Sequence, residues 1–458
     1  MSTLTAEHKP YPIYRPSGVE WLGEVPVHWK VRRLQVSVSH YVGGVWGSEP
    51  NGVDDLPCVR VADFDRRRLR VHMDSPTLRS ITQNDRYKRV LSPGDLLLEK
   101  SGGGDLQPVG VVILYDHSVP AVCSNFIARL QLAPDNDPVF LTYLHSTLYA
   151  IRLNSRAIKQ TTGIQNLDVS AYLGELVCFP PFAEQRAIAA FLDRETAKID
   201  ALVSKKERLI ELLQEKRTAL ISHTVTKGLN PSAPLKESGV EWLGEIPMHW
   251  EVLRLKHVTE KIGSGKTPKG GAERYVDDGV MFLRSQNVHF GGLQLADVAH
   301  IDAITDNEMS GSRVREGDVL LNITGASLGR SCVARLEGAD ANVNQHVCIL
   351  RTVPRQNDPD FLAYSIESMS LQDQIFNNEN GVSRDALNFE QIGELVFSRP
   401  AIEDQKSIAA FLDRETVKID NLIARVHEAI ELLKELRTAL ISAAVTGKID
   451  VREDKECT

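Results

Sequence analysis

The chain has 458 residues, is 42% hydrophobic and 25% charged, and carries a formal net charge of −8. No run of about 18 apolar residues occurs, so we expect no membrane-spanning helix. The polar stretch MSTLTAEHKPYPIYRPS also lacks the apolar core that a secretory signal needs. The negative total charge argues against a protein that coats nucleic acid along its whole surface, although a total can hide a local basic patch.

The cysteine pattern predicts neither a disulfide framework nor a zinc site. The six cysteines are scattered singly, at Cys58, Cys123, Cys178, Cys332, Cys348 and Cys457. Because no C-x-x-C pair occurs, four closely spaced thiolate ligands are not available to a metal ion. We therefore expect a reduced, cytoplasmic protein with no metal site.

Internal repetition dominates the chain. The motif SGVEWLGEVPVHW begins at Ser17 and recurs as SGVEWLGEIPMHW at Ser238, about 220 residues later. AAFLDRET and RTALIS recur at nearly the same offset. A repeat of this length is a whole module and is too long for a solenoid unit. The predicted order is an N-terminal segment (1–29), a first β-rich domain (30–180), a long helix (181–227), a linker with the repeated motif (228–250), a second β-rich domain (251–400), a second long helix (401–446) and a C-terminal tail (447–458).

Each β-rich domain shows short apolar runs separated by Gly, Pro and Asp. GDLLLEK, PVGVVILYD and NFIARLQLAP in the first copy correspond to GDVLLNITG, GRSCVARLE and NQHVCILRTV in the second. Such runs predict strands with turns between them. One helix follows in each copy, within PVFLTYLHSTLYAIRLNS and PDFLAYSIESMSLQDQIFN. The pattern predicts an internally duplicated α+β fold that is mostly sheet.

The two closing segments predict long helices that pack as an antiparallel pair. Prolines precede both segments, and 401–445 contains neither Pro nor Gly. Fully helical, the stretch from Ala183 to Thr226 would be about 66 Å long. In the second helix the apolar rows are Leu412, Ile419, Val426, Leu433 and Leu440, and Leu422, Ala429, Leu436 and Ala443. In the first they are Leu192, Ile199, Leu213 and Leu220, and Leu202 and Leu209, with Lys206 as a polar interruption.

The repeat is uneven, because the flanking segments match closely and the β-rich domains do not. This contrast favours a constant partner and two different targets, although uneven drift after duplication would also explain it. One difference within the matching segments is Asp404, where the first copy has Glu184. Because the charge is kept, we expect this difference to matter little.

Three stretches resemble catalytic motifs but lack required atoms. GSGKTP (263–268) would need Gly at 260 to form a phosphate-binding loop, and Glu260 is there. CFPPF has Phe179 where an amino-methyltransferase needs Asn or Asp. GDLLLEK has Glu99 and Lys100 adjacent, so on a strand they would point to opposite faces.

The motif at Ser17, the pair PPFAEQRAIAAFLDRET and PAIEDQKSIAAFLDRET, and RTALISHTVTKGLNP resemble the specificity subunits of type I restriction–modification systems. The resemblance covers essentially the full chain. It implies that 30–180 and 251–400 are target-recognition domains, each recognising one half of a split, asymmetric DNA site. It also implies that the long helices separate the two half-sites.

The resemblance further implies a non-catalytic subunit. Its expected partners are double-stranded DNA, two methyltransferase subunits and restriction subunits. S-adenosylmethionine, ATP and Mg²⁺ are expected on those partners, and no cofactor is expected on this chain.

Candidate contacts follow from charge and hydrogen-bonding capacity. Those for DNA are Arg32, Arg33, Arg66, Arg67, Arg68, Arg70, Thr162, Gln165, Asn166, Gly263, Ser264, Lys266, Thr267, Lys269, Arg284, Ser383 and Arg384. Those for partner subunits are Gln185, Phe191, Arg194, Gln405, Phe411 and Arg414. The alternatives are solvated loops for the first set and local core packing for the second.

Two other functions stay open from the residues alone. An enzyme, either a nucleotide hydrolase or a fused methyltransferase, would bind ATP or S-adenosylmethionine as the purified chain. A scaffold unrelated to nucleic acid would show no salt-dependent DNA affinity even with a methyltransferase present.

Overall fold

The computed structural model describes residues 9–53, 55–161, 163–376 and 386–452. They form two units: the described parts of Met1–Lys205 with Glu428–Thr458, and Lys206–His427. Each unit contains one β-rich domain and one part of each long helix. The predicted duplicated α+β fold is confirmed.

The first unit contains sixteen described strands and three complete helices. The strands are β1 Tyr14–Pro16, β2 Glu24–Pro26, β3 Lys30–Arg33, β4 Val38–Gly43, β5 Asp55–Val59, β6 Phe64–Asp65, β7 Arg70–Val71, β8 Leu78–Ser80, β9 Asp95–Glu99, β10 Ser101–Gly102, β11 Val112–Tyr115, β12 Val122–Cys123, β13 Ile127–Leu132, β14 Ile158–Thr161, β15 Ile164–Leu167 and β16 Leu176–Phe179. The helices are α1 Gln83–Arg89, α2 Pro138–Ala150 and α3 Val169–Leu173, and the long helix α4 Phe182–Lys227 begins in this unit.

The second unit repeats this plan with different lengths. Its described strands are β17 Leu235–Glu237, β18 Glu245–Pro247, β19 Glu251–Arg254, β20 Thr259–Ser264, β21 Tyr275–Val276, β22 Val280–Leu283, β23 Val288–His289, β24 Gly292–Leu293, β25 Ala299–Ile301, β26 Arg313–Val314, β27 Val319–Asn322, β28 Ser331–Val333, β29 Ala341–Val343, β30 Val347–Thr352 and β31 Val396–Arg399. The helices are α5 Ala303–Glu308, α6 Pro359–Glu367, α7 Met369–Phe376 and α8 Phe389–Glu394, and the long helix α9 Ile402–Val445 begins here.

The main sheets of the two domains share a common centre. In the first unit the order is β4-β13-β9-β11-β7-β6, and in the second it is β20-β30-β27-β28. Each domain helix that packs on this sheet starts the same way: Asp137 caps α2 and Asp358 caps α6, with a proline in the first turn. The duplication is therefore visible in local helix chemistry as well as in strand order.

The long helices are antiparallel, as predicted. In the first unit Asp200 of α4 pairs with Arg437 of α9 at 3.3 Å, and in the second Arg217 pairs with Asp420 at 3.1 Å. The residue number thus falls along α9 as it rises along α4. Apolar packing follows the same order, since Leu192 lies in one core with Ile441, and Ile221 lies in another with Leu412.

The seam between the helices is displaced from the predicted second row. The first rows are buried or half-buried, but Leu202, Leu209, Leu422 and Leu436 are 38 to 44% exposed. Val203 and Ile210 are buried in α4 and Ile430 in α9. The prediction places apolar residues at a strict spacing of 3.5 residues per turn. In the structure, the buried face instead contains the residues next to the predicted second row. These leucines are consequently available on the surface of their own units.

The exchange of Glu184 for Asp404 has a larger structural effect than expected. Glu184 is 7% exposed, and its carboxylate binds Tyr11 at 2.5 Å, His28 at 2.8 Å and Trp29 at 2.9 Å. Asp404 is one methylene shorter, is exposed, and lies 3.9 Å from His249. The kept charge therefore does not keep the structure, because the shorter side chain does not form the buried cluster.

The described cysteines are all buried. Burial raises the pKa of Cys58 to about 11 and the pKa values of Cys123, Cys178, Cys332 and Cys348 to about 12. These five thiols are therefore protonated at neutral pH. Cys457 lies outside the described residues.

Candidate nucleic-acid interface

The loop that contains GSGKTP is shaped by the close approach of two backbones. A Cβ on Gly265 would lie 1.6 Å from the carbonyl oxygen of Val343, so only glycine fits there. In the first unit Gly44 follows β4 in the same way, and its Cβ would lie 2.1 Å from the oxygen of Cys123. The glycine is thus explained by sheet geometry without a nucleotide.

Around Gly265, four segments form what we call the second loop cluster: 265–267, 323–325, 344–346 and 386–387. Thr267 donates to Gln345 Oε1 at 2.5 Å, and the Gln345 amide lies 2.9 Å from Nε2 of His346. The other ring nitrogen of His346 is 2.6 Å from the hydroxyl of Thr324. Lys266 is exposed in the same loop. The cluster therefore offers amide, imidazole, hydroxyl and ammonium groups together.

Gln345, His346 and Thr324 were missed by sequence reasoning. The signal was the polar triplet Asn-Gln-His between the apolar strands β29 and β30. A polar triplet between two strands predicts only a turn, because nothing local shows that the loop following β20 lies beside it.

The first loop cluster has the same backbone plan and different side chains. It consists of 44–46, 100–102, 124–126 and 165–167, connected by a hydrogen bond from the amide of Lys100 to Phe126 O at 2.9 Å and by a contact between Ser101 and Asn166. Trp46 occupies the position that corresponds to Thr267. Trp46 and Phe126 are 38% and 47% exposed. Aromatic surface thus replaces part of the polar network of the second unit.

The candidate residues near these clusters have different outcomes. Gln165 is buried and accepts a hydrogen bond from the Val109 amide at 3.3 Å, so it is not free to contact a base. Asn166 is exposed. Gly263 and Ser264 are half-buried in β20, and Lys269 is exposed. Thr162, Ser383 and Arg384 lie outside the described residues.

The arginine cluster of 66–70 largely faces carboxylates of its own unit. Arg67 pairs with Asp200 of α4 at 2.9 Å, and Arg70 lies 3.2 Å from Asp116 and 3.6 Å from Asp193. Arg66 lies 3.2 Å from Glu99; burial raises the pKa of this carboxyl, and Arg66 opposes the shift. Arg68 is more exposed than these three. Most of the charge of this loop is thus paired within its own unit, and its contact with DNA stays a prediction.

Arg32 and Arg33 lie elsewhere, on strand β3. This strand pairs with β16 immediately before the long helix, and both side chains are exposed. Neither belongs to a loop cluster, so neither is placed beside the groups described above.

Arg284 has a counterpart in the first unit that sequence reasoning missed. Arg284 starts the short turn before β23, donates to Asp297 O at 2.7 Å and lies over the ring of Tyr275 at 5.8 Å. Arg60 starts the matching turn before β6 and pairs with Asp63 at 2.7 Å. Both arginines thus stabilise their own turns. Their equivalent positions in the two copies were the signal in the sequence that could have identified Arg60.

The candidate partner-binding residues divide into buried and accessible ones. Gln185, Phe191 and Gln405 are 2%, 0% and 1% exposed. Gln185 accepts from the Asp137 amide at 2.9 Å, and Gln405 accepts from the Asp358 amide at 2.8 Å. These three side chains are enclosed by their own units, and their role in partner binding stays a prediction.

Phe411, Arg194 and Arg414 stay accessible to different degrees. Phe411 is half-buried, and Arg414 lies over its ring at 5.5 Å with 60% of its side chain exposed. Arg194 lies over Phe191 in the same way, but only 22% of its side chain is exposed. The second unit therefore presents more of this surface.

The described residues contain neither a metal-binding cluster nor a membrane-spanning helix. No three His, Cys, Asp or Glu side chains in these ranges are grouped so that they could hold a metal ion. Within the same ranges, no helix is long and apolar enough to cross a membrane.

Comparisons with known proteins agree with this architecture. Residues 247–432 match the family model for the type I restriction modification DNA specificity domain. The chain is 24% identical over 342 residues to the type I restriction enzyme EcoBI specificity subunit of Escherichia coli, covering 72% of this chain and 70% of that protein. It is 26% identical over 310 residues to the MjaVIII specificity subunit of Methanocaldococcus jannaschii, covering 66% and 70%.

A solved structure has the same fold. It belongs to a study of complex assembly and conformational transition of the type I restriction–modification system, with a TM-score of 0.67 at 18% identity, and the match covers 93% of this chain and 99% of the other. Residues 247–432 thus match the type I restriction modification DNA specificity domain, and the chain shares the fold of this solved structure.

Proposed function

We propose that this chain recognises a split, asymmetric DNA site and thereby determines where partner subunits methylate or cleave DNA in the cytoplasm. The observation that carries the proposal is that two equivalent loop clusters, built on the same sheet plan, present different side chains. Asn125 and Phe126 in the first unit correspond to Gln345 and His346 in the second. Different side chains at equivalent places favour different bases in the two half-sites.

The chemistry of the second loop cluster suits DNA. Lys266 and Lys269 are exposed cations that can neutralise phosphates. The Gln345 amide carries both a donor and an acceptor, the pattern that matches the major-groove edge of adenine. In the first loop cluster, Asn125 and Asn166 supply the same amide chemistry.

Partner docking is supported by apolar surface on the long helices. Leu202, Leu432 and Leu436 in the first unit and Leu209, Leu212 and Leu422 in the second are 38 to 65% exposed. Leucines at helical spacing can pack against a helix of another protein. We assign this surface, with Arg194, Phe411 and Arg414, to two methyltransferase subunits, and expect restriction subunits to join that complex.

Catalysis belongs to the partners in this proposal. S-adenosylmethionine, ATP and Mg²⁺ would be bound by the methyltransferase and restriction subunits. The role of this chain would be to recognise DNA and to hold the two recognition domains at a fixed separation.

The test is a methylome of host DNA with this gene intact and deleted, measured by a method that detects N6-methyladenine. We expect one split, asymmetric motif to lose methylation on deletion. Complementation with Gln345→Ala should impair recognition in one half of the motif, and Asn125→Ala in the other. If methylation is unchanged although the methyltransferase is expressed and co-purifies, the proposal is wrong and an adaptor role gains support.

A further inference from the structure

A cavity of about 250 Å³ lies within the second unit, beside the start of α9. Its lining includes three carboxylates, those of Asp360 and Glu367 of α6 and Asp413 of α9, and one guanidinium group, that of Arg335. Gly291 and Gly292 of the β23–β24 hairpin form part of its wall. Asp360 and Glu367 each have an arginine partner, so the charge that is left to balance is that of Asp413.

The first unit has an equivalent cavity, and that cavity contains guanidinium groups. There, Tyr143 and Asp193 correspond to Tyr364 and Asp413, and both tyrosines donate to their aspartates, at 2.8 Å and 2.7 Å. The cavity beside Asp193 is lined by Arg67, Arg68 and Arg70. Arg70 reaches Asp193 at 3.6 Å.

Strand register identifies what replaces these arginines in the second unit. Arg70 pairs with Asp65 across the β6–β7 hairpin, and Gly292 pairs with His289 across the β23–β24 hairpin. The four-residue loop 66–69 is shortened to Phe290 and Gly291. The position of Arg70 is therefore occupied by a glycine, and no guanidinium comes from this hairpin.

The second unit also carries carboxylates that the first lacks. Asp360 and Glu367 stand where α2 has Val139 and Ser146. Asp360 pairs with Arg335 at 2.6 Å, and Glu367 pairs with Arg217. Within the described residues, no cation pairs with Asp413.

Ser331 supplies an independent sign of a missing ligand. Its side chain lines the cavity and is 2% exposed, yet its hydroxyl has no hydrogen-bond partner among the described residues. The corresponding residue on β11 is Val112, which needs none. A buried hydroxyl without a partner is costly, and a bound donor would remove that cost.

We infer that this cavity binds an arginine side chain of a partner protein. Resting on the proposed function, we assign that arginine to a methyltransferase subunit. A guanidinium group has five N–H donors in one plane, and it can donate to the carboxylate of Asp413 and to the hydroxyl of Ser331 together. The partner would thus provide the charge that Arg70 provides to Asp193 within the first unit.

The experiment titrates the full-length chain with the methyltransferase subunit of the same system at low and at physiological salt. Asp413→Asn keeps an acceptor for Tyr364 and removes the charge, and we expect about a tenfold loss of affinity and a weaker salt dependence. Ser331→Ala removes only the unpartnered hydroxyl and should weaken binding about threefold without lowering stability. The matched control is Asp193→Asn, which removes the equivalent charge from the unit that has its own arginines, and its affinity should stay within about twofold of wild type.

The outcomes separate the inference from the proposed function. If the wild-type chain binds the methyltransferase subunit and both second-unit variants bind it as tightly as Asp193→Asn does, the cavity assignment is wrong while the proposed function stands. If the wild-type chain binds no methyltransferase subunit, the proposed function fails and this inference fails with it. Should Asp413→Asn prove unstable, the Ser331→Ala titration decides alone.

Discussion

Gly265 occupies a position where the backbone leaves no room for a side chain. Gly265→Ala would force its Cβ toward the oxygen of Val343, and we expect a loss of at least about 2 kcal/mol in the free energy of unfolding. Gly263→Ala, two residues earlier in β20, is the matched control, because the nearest atom to its Cβ would be 3.9 Å away. Urea unfolding of both variants tests this, and equal midpoints would show that the loop moves to accommodate the methyl group.

His145 gives the first unit a specific sensitivity to acid. It is 1% exposed, and burial lowers the pKa of its imidazole to about 3. An unfolded histidine titrates near pH 6.5, so between about pH 6.5 and pH 3 only the unfolded chain takes up this proton. The free energy of unfolding therefore falls as pH decreases through this window, by up to about 1.4 kcal/mol per pH unit.

The variant that tests this is His145→Asn. In the wild type the hydroxyl of Tyr172 lies 2.7 Å from Nδ1 of His145, and the asparagine amide would give this hydroxyl a neutral partner. Urea unfolding between about pH 7 and pH 5 should show a shallower pH dependence in the variant than in the wild type. Identical slopes would mean that other groups dominate acid unfolding.

At the same scale, the sequence predicted residue types better than residue environments. Lys266 and Asn166 are exposed as a binding role requires, whereas Gln165 and Gln185 are buried among backbone partners far away in sequence. The charge of 66–70 was visible in the sequence. Its neutralisation by Asp193 and Asp200 was not, because these carboxylates lie on a helix more than a hundred residues later.

At the scale of elements, the start of α4 is held more firmly than the start of α9. Glu184→Ala would leave the Tyr11 hydroxyl and the Trp29 indole N–H buried without their acceptor. We expect a loss of about 2–4 kcal/mol in the free energy of unfolding. Asp404→Ala, the matched variant in the second unit, should change it by less than about 0.5 kcal/mol, since that side chain is exposed.

Chemical denaturation followed by tryptophan fluorescence measures both variants. We expect the two variants to differ in the free energy of unfolding because Glu184 is buried and Asp404 is exposed. A comparable loss for Asp404→Ala would show that His249 contributes more than its 3.9 Å distance indicates.

The long helices were predictable as elements, because length, absence of Pro and Gly, and apolar recurrence are all local properties. Their contact face was only partly predictable. The row at Leu412, Ile419, Val426 and Leu440 is buried, but Leu422 and Leu436 face away while Ile430 faces inward. A helix with 3.6 residues per turn offers two adjacent choices for the second row, and the partner helix decides between them.

For the molecule as a whole, the proposed spacing role predicts how the DNA motif responds to helix length. Inserting seven residues in both α4 and α9 adds about 10.5 Å and two turns, which preserves the contact face. We expect the gap between the half-sites to grow by about three base pairs. The motif is measured in the methylome of cells that carry the lengthened gene.

An insertion in α4 alone is the control. Placed between Asp200 and Arg217, it would prevent the Asp200–Arg437 and Arg217–Asp420 pairs from forming at the same time, and methylation should be lost or its gap altered. If either lengthened variant methylates an unchanged motif, the helices do not set the separation of the two half-sites.

The buried thiols described above allow the opening of each unit to be timed chemically. Only a thiolate reacts rapidly with an alkylating reagent, and a raised pKa combined with burial keeps the native thiols unreactive. Cys58, Cys123 and Cys178 belong to the first unit, and Cys332 and Cys348 belong to the second. Mass spectrometry of peptides alkylated over time would therefore give two opening rates from one unmutated sample. A partner that binds only one unit would slow the alkylation of the cysteines in that unit and leave the alkylation rate of the cysteines in the other unit unchanged.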